Sequence, residues 1–301
     1  MLPDRSKLLK ILPTDEIVTR YRAIWGEGLS LDHVIAHAEL EGELTDRLLL
    51  SKPETRGREF SECYGRLYKE LPWLNGANSA SANEGDLHTW GKLVGSGHKV
   101  LEIGSGHGFL IRHLAKQGNV CFGSEVTDER GEKLSSDADG VQWIQVDAVH
   151  LTRHVEPDSF DIVISDQVFE HLHPEDHLQH LRSVREVLKS GGRYILRAPH
   201  RSIGPTDVSK IFGFDQAVFM HLCEPNFILM NKLFFQAGFK NLAAISKKRE
   251  FPIKSEWLLR YQMWIDFMEE KFIRSQASRR RLRRLGKYAF ISDAVWVVGG
   301  K

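Results

Sequence analysis

The sequence predicts an α/β fold: a doubly wound, mostly parallel, seven-stranded sheet with a helical N-terminal extension and a helical insertion before the last strand. Three observations carry this expectation. From residue 98 short apolar runs alternate with stretches of helical periodicity, the pattern of a parallel sheet covered on both faces. The first run, KVLEIG (99–104), opens into SGHGFL, a glycine-rich strand-to-helix turn whose backbone N–H groups are free to meet a ligand. Residues 1–92 show no strand-like alternation.

In chain order, LDHVIAHAELEGELTDRLLL (31–50) places apolar residues at helical spacing, and SECYGRLYKELPWL (61–74) reads as a helix ending near Pro72. SASANEGDLHTWGKLV (79–94) reads as a capped helix leading to the first strand. That strand is followed by a helix over 107–118, stopped by Gly118, and by strands at NVCFGSE (119–125), VQWIQVD (141–147) and FDIVISD (160–166). In HPEDHLQHLRSVREVLKSGG (173–192), Leu178, Leu181, Val184, Val187 and Leu188 share one helical face, and Gly191 and Gly192 end it. GRYILRAP (192–199) is the fifth strand, FILMNKLFFQAGF (227–239) an amphipathic helix, KNLAAISK (240–247) the sixth strand and DAVWVVGG (293–300) the last. Residues 251–287 read as one or two helices. The domains expected are an extension over 1–92, a core over 93–250, an acceptor-side cap over 251–290 and the final core strand over 291–301.

The 41 basic and 40 acidic residues nearly cancel, so no global field draws the chain to nucleic acid or to a membrane. Three scattered cysteines, Cys63, Cys121 and Cys223, suit a reducing compartment rather than a disulfide framework. No apolar stretch approaches the ~20 residues needed to span a bilayer, and the N-terminus is too charged for a secretory signal. A cytoplasmic location is the expectation; the oligomeric state is not legible.

The glycine loop narrows the ligand. A dinucleotide fingerprint needs glycine or alanine at its sixth position; counted from Gly104, with further glycines at Gly106 and Gly108, that position is Phe109. No Lys-Ser or Lys-Thr pair follows, which excludes a P-loop. Glu102, two residues before the first glycine, would sit badly beside a pyrophosphate but could receive a ligand ammonium group. The loop suits a ligand with a cationic amino-acid end.

VLEIGSGHG resembles the first motif of the class I S-adenosylmethionine-dependent methyltransferases of the small-molecule, type-11-like group, and four further pieces follow in order over about 95–200. The resemblance implies a Rossmann-like methyltransferase fold with S-adenosylmethionine as cofactor. It places Glu102, Gly104, Ser105 and Gly106 at the cofactor, Glu125 on the ribose hydroxyls, Asp147 and the Ala148 backbone on the adenine, and Asp166 and Gln167 toward the methionine part. FDIVISDQVFEHL and VLKSGGRYIL are similar to the family's fourth and fifth strands.

Acceptor chemistry belongs at the carboxyl ends of the strands. His171 follows strand four and His200 and Arg201 follow strand five, with Asp207 and His221 further along the same region. His171 and His200 are the candidate catalytic bases; Arg201, Asp207 and His221 are candidate acceptor contacts. His173, His177 and His180 have helical metal-ligand spacing, but read better as the wet side of a helix with an acidic first turn, so no metal is expected. KFIRSQASRRRLRRLGK (271–287) holds eight cations and no acid. It reads as an amphipathic helix with a solvated basic face, or as a surface for an anionic acceptor. The expected activity is O-methylation of a sugar, glycan or secondary metabolite. The rival is a non-catalytic binding or assembly subunit of the same fold, which the three acids Glu102, Glu125 and Asp147 oppose.

Overall fold

The computed structural model describes residues 2–5, 15–75, 84–130, 140–248, 251–286 and 294–301. Eight strands form one sheet in the order β3-β2-β1-β4-β5-β8-β6-β7. The strands are β1 Lys99–Ile103, β2 Val120–Glu125, β3 Val141–Gln145, β4 Phe160–Asp166, β5 Leu188–Pro199, β6 Lys240–Lys248, β7 Phe251–Ser255 and β8 Ala294–Gly300. β1 to β5 pair in parallel. β8 runs antiparallel between β5 and β6. The chain order reverses between β1 and β4, so the connections leaving their carboxyl ends run to opposite faces of the sheet and leave the crevice in which doubly wound sheets bind ligands.

Seven strands were expected and eight are found among the described residues. The additional one, β7, lies where a helix was predicted, and it pairs antiparallel with β6 at the sheet edge. Pro252 is tolerated there because an edge strand can spare one N–H donor. Ser255 then caps the next helix, its Oγ accepting from the Trp257 N–H at 3.1 Å.

The helices are α1 Asp15–Trp25, α2 Leu31–Leu50, α3 Arg56–Glu70, α4 Glu84–Val94, α5 Phe109–Lys116, α6 His177–Val187, α7 Phe227–Gln236, α8 Glu256–Phe272 and α9 Gln276–Gly286. α3 begins five residues before the predicted start. The beginning of the helix read over 79–94 lies outside the described residues, as does Lys287. Among the described residues no helix is long and apolar enough to cross a membrane. Gly191 and Gly192 do not end α6; they sit inside β5, beside a register shift in its pairing with β4.

Two apolar clusters cover the sheet faces, one with Leu101, Val163 and Leu196, the other with Val100, Ile162 and Ile195. These alternate along each strand, as a two-sided buried sheet requires. Two further clusters build a cap at the carboxyl ends. α1 and α2 pack on Phe212 and Phe219 from the segment after β5, and α2 and α3 pack on Met220.

The histidines at and just before the start of α6 are a correction. His173, His177 and His180 are buried, not on a wet face. His177 stacks on Phe169 at 4.1 Å, and His180 reaches the Ala148 carbonyl at 2.7 Å and the Tyr194 hydroxyl at 3.0 Å.

Candidate active site

A cavity of about 920 Å³, counted to its open mouth, lies between the strand ends and α3. Its sheet wall carries Gly104 after β1, Glu125 at the end of β2, Asp147 and Ala148 after β3, and Gln167 and His171 after β4; α3 contributes Gly57, Tyr64 and Tyr68.

The glycine loop is shaped by sterics. Gly104, Gly106 and Gly108 have φ of 66°, 54° and 73°, a region side chains rarely enter. A Cβ on Gly104 would stand 2.5 Å from Val168 Cγ2, so the loop lies directly against the residues that follow β4. The Gly106 N–H donates to the Glu125 carboxylate. Ser105 works inside the fold: its N–H donates to the Ser124 carbonyl at 2.9 Å and its Oγ to the Glu102 carbonyl at 3.1 Å. Phe109 opens α5 and is exposed.

Glu102 is buried and one of its carboxylate oxygens has no hydrogen-bond partner. Burial, then the charges of Asp166 and Glu125, hold its carboxyl well above the usual range, which is the signature of an acid short of a cation. Burial also raises Glu125, against the opposing charge of Arg130. Asp147 caps its own turn, accepting from the Val149 N–H at 2.8 Å and contacting His150 Nδ1 at 2.8 Å. The start of α3 rests on it: a Cβ on Gly57 would lie 2.8 Å from Asp147 Oδ2.

Asp166 is held by the Arg197 guanidinium at 2.6 and 2.5 Å, with the Trp90 indole N–H at 3.3 Å, and does not line the cavity. Gln167 does, in a left-handed conformation with φ 59°. His171 Nδ1 lies 2.9 Å from the Tyr64 hydroxyl and 3.0 Å from the Met220 carbonyl. Burial, then the neighbouring His221, pushes it down to about 3, so the ring is neutral near neutral pH.

The remaining predicted residues divide. His221 stands edge-on to His171 at 4.6 Å and contacts the Glu224 carboxylate at 3.0 Å. Against the lowering that burial imposes, the Glu224 hydrogen bond and the charges of Glu170, Asp207 and Glu224 bring His221 up to about 9. Asp207, raised by burial to about 6, accepts from the Ser209 N–H at 3.1 Å. His200 belongs elsewhere. It is fully buried against Asp266 at 2.9 Å and lines no part of the cavity. Arg201 is exposed and pairs with Glu270 at 3.4 Å.

The basic segment is also corrected. Arg283 is fully buried, its guanidinium on Asp266 at 2.5 Å and Glu269 at 2.9 Å; Arg279 and Arg280 donate to the Ile273 and Gly204 carbonyls. α9 supplies no lining residue; it braces the turn after β5. Tyr64, Tyr68 and Arg130 line the cavity, and the sequence reading missed them as site residues. The two tyrosines, four apart on one helix face, were the available clue.

Residues 101–196, about a third of the chain, match the methyltransferase domain family, and the fold is that of a class I S-adenosylmethionine-dependent methyltransferase. Among relatives, 163 residues are 27% identical to a ubiquinone biosynthesis O-methyltransferase of Ruegeria sp. (strain TM1040), covering 51% of this chain and 64% of that one. Over 111 residues the chain is 30% identical to the protein of the same name from Aliivibrio fischeri, covering 36% and 46%. A solved structure, a putative O-methyltransferase from Nostoc punctiforme, aligns over 89% of this chain and 69% of its own, at 14% identity and a TM-score of 0.49. The chain thus spans between about half and two thirds of the curated relatives it matches.

The residues present fit the cofactor. A side chain at Gly104 has no room, Glu125 and Asp147 line one cavity, and Glu102, which does not line it, is a buried acid with a carboxylate oxygen lacking a hydrogen-bond partner.

Proposed function

We propose that this protein methylates a hydroxyl of a small polar acceptor, of the sugar, glycan or secondary-metabolite kind, with S-adenosylmethionine as donor. The observation that carries the reading is one cavity lined together by Glu125, Asp147, Gln167, His171 and the α3 residues Gly57, Tyr64 and Tyr68. The bound cofactor supplies an electrophilic methyl group on a sulfonium; the chain supplies position, desolvation and the handling of the acceptor proton.

Each side chain has a defined task. Glu125 accepts hydrogen bonds from ribose hydroxyls, Asp147 and the Ala148 backbone meet the adenine edge, and Glu102 answers an ammonium group. Asp166, locked by Arg197, acts through the shape of the β4 end rather than by direct contact. His171, neutral and fixed by the Met220 carbonyl, presents its remaining nitrogen to an acceptor hydroxyl. Tyr64 and Tyr68 wall the acceptor from water.

An oxygen acceptor is favoured by the names of the relatives, O-methyltransferases of ubiquinone biosynthesis. The anionic acceptor considered for the arginine-rich segment loses support, because α9 takes no part in the cavity. His200 likewise takes no part in the proton transfer proposed here. The test is methyl transfer from radiolabelled donor to a panel of sugars, phenols and amines. Labelling of hydroxyl acceptors that falls at least tenfold in His171→Phe supports the reading; labelling of amines alone overturns it.

A further inference from the structure

Beside the cavity, three ligating side chains converge. Glu170 and His171 stand together on the 3-10 turn Phe169–His171 after β4, and His221 comes from the segment after β5. Their nearest ligand atoms all lie within 4.8 Å of one another. The Cys223 N–H clips the second segment to the first by donating to the Glu170 carbonyl at 3.0 Å.

Glu170 is completely buried, and neither carboxylate oxygen has a partner beyond its own backbone N–H. A buried carboxylate without a hydrogen-bond partner is unfavourable, and such groups pair or coordinate metals; the charge facing Glu170 is that of His221. The two imidazoles are set up to help. His171 Nδ1 lies 3.0 Å from the Met220 carbonyl. With the hydrogen on Nδ1, shared between that carbonyl and the Tyr64 hydroxyl oxygen at 2.9 Å, the lone pair falls on Nε2. His221 Nδ1 faces the Glu224 carboxylate at 3.0 Å in the same sense. A carboxylate or carbonyl behind Nδ1 is the arrangement that orients metal-bound histidines.

We propose that Glu170, His171 and His221 bind a divalent transition-metal ion of the zinc, manganese or cobalt kind, with the acceptor oxygen as a further ligand. Two nitrogens and one carboxylate are too few oxygens for calcium or magnesium, and three protein ligands leave coordination positions open. The comparison within the molecule is informative. His200, Asp266 and Glu269 form a similar trio, but there the Arg283 guanidinium already supplies the cation. Among the described residues no arginine or lysine pairs with Glu170 in that way; the charge that faces it is the His221 imidazolium, whose proton a bound ion would displace.

The role of the ion, though not the site, rests on the methyltransferase reading. The ion lowers the pKa of the bound acceptor hydroxyl, whose proton passes to water. The oxygen lone pair then forms the C–O bond as the S–CH₃ bond breaks, and that bond's electron pair stays on sulfur as a neutral thioether. His171 serves as a ligand in this scheme, and the ion takes over the contact with the acceptor oxygen.

The test uses the full chain, freed of metal with a chelator and titrated with Co²⁺ alone. One equivalent should develop visible d–d absorption, displaced by Zn²⁺, with a Kd of about 10 μM or tighter. Glu170→Gln and His221→Asn should each weaken binding at least tenfold. Glu224→Gln should weaken it about ten- to a hundredfold by releasing Nδ1 of His221. Circular dichroism checks that each variant folds; should the first two not fold, the wild-type titration and Glu224→Gln decide. Absence of a stoichiometric Co²⁺ spectrum in the wild type, or an unchanged spectrum in folded variants, overturns the proposal. S-adenosylmethionine titrated into the same samples keeps the two readings apart, since loss of metal binding with donor binding intact refutes only the metal site.

Discussion

Replacing Arg283 by methionine tests the new assignment of the arginine-rich segment. The guanidinium has no solvent exposure, and one of its NH₂ nitrogens lies 2.5 Å from Asp266 and 2.9 Å from Glu269. Asp266 keeps other partners: His200 at 2.9 Å, and the Phe227 and Ile228 N–H groups that begin α7 at 2.7 and 3.2 Å. Glu269 keeps only the Ser202 hydroxyl, at 2.7 Å, and its other oxygen has none. Removing one partner of a buried pair costs about 3–5 kcal/mol. The support left to Asp266 puts the loss near the lower end, about 3 kcal/mol, or more than a hundredfold in the folding equilibrium. Urea denaturation at neutral pH reads this directly, with Arg281→Met and Arg284→Met as controls. Both control residues are exposed on the same helix and should each change stability by under about 0.5 kcal/mol. A loss below about 1 kcal/mol in Arg283→Met, or an equal loss in the controls, would refute the reasoning.

Three further outcomes follow from the same contacts. Gly104→Ala combines positive φ with a Cβ 2.5 Å from Val168, so donor binding should fall at least tenfold, with about 1–3 kcal/mol of stability lost; calorimetry and denaturation measure the two. Gly57→Val drives a side chain onto Asp147, whose Oδ2 would lie 2.8 Å from the new Cβ, and should weaken donor binding more than it weakens the fold. His177 and His180 are pushed down by burial to about 3 and about 4. Their unfolded forms take a proton near pH 6.5, so the stability they carry is present above that pH and is lost as pH falls toward 4. Each should remove about 2–3 kcal/mol between pH 6.5 and 4.5, and His177→Phe, stacked on Phe169, should flatten that slope in denaturation at the two pH values.

What the chain made legible was local. Alternating apolar runs and the glycine turn placed β1 to β5 within a few residues, because both are set by near neighbours and by φ. What stayed hidden depends on partners far away in sequence. β7 holds Pro252, which argues against a strand unless the strand is known to be an edge. Arg283 looked solvated because its acids, Asp266 and Glu269, lie on the preceding helix and meet it only once α8 and α9 fold back. His177 and His180 looked wet because polar side chains usually are; Phe169, Ala148 and Tyr194 supply their partners. Gly57 meets Asp147 across 90 positions, and nothing in SKPETRGREF announces that α3 roofs the cavity. The convergence of Glu170 with His221 is of the same kind.

The most direct measurement of the central claim is calorimetric titration of the purified protein with S-adenosylmethionine and, separately, with NADH, repeated on Asp147→Ala. The account predicts micromolar binding of the methyl donor, at least tenfold weaker in the variant, and no heat with NADH. Binding of NADH, or donor affinity untouched by Asp147→Ala, would contradict it.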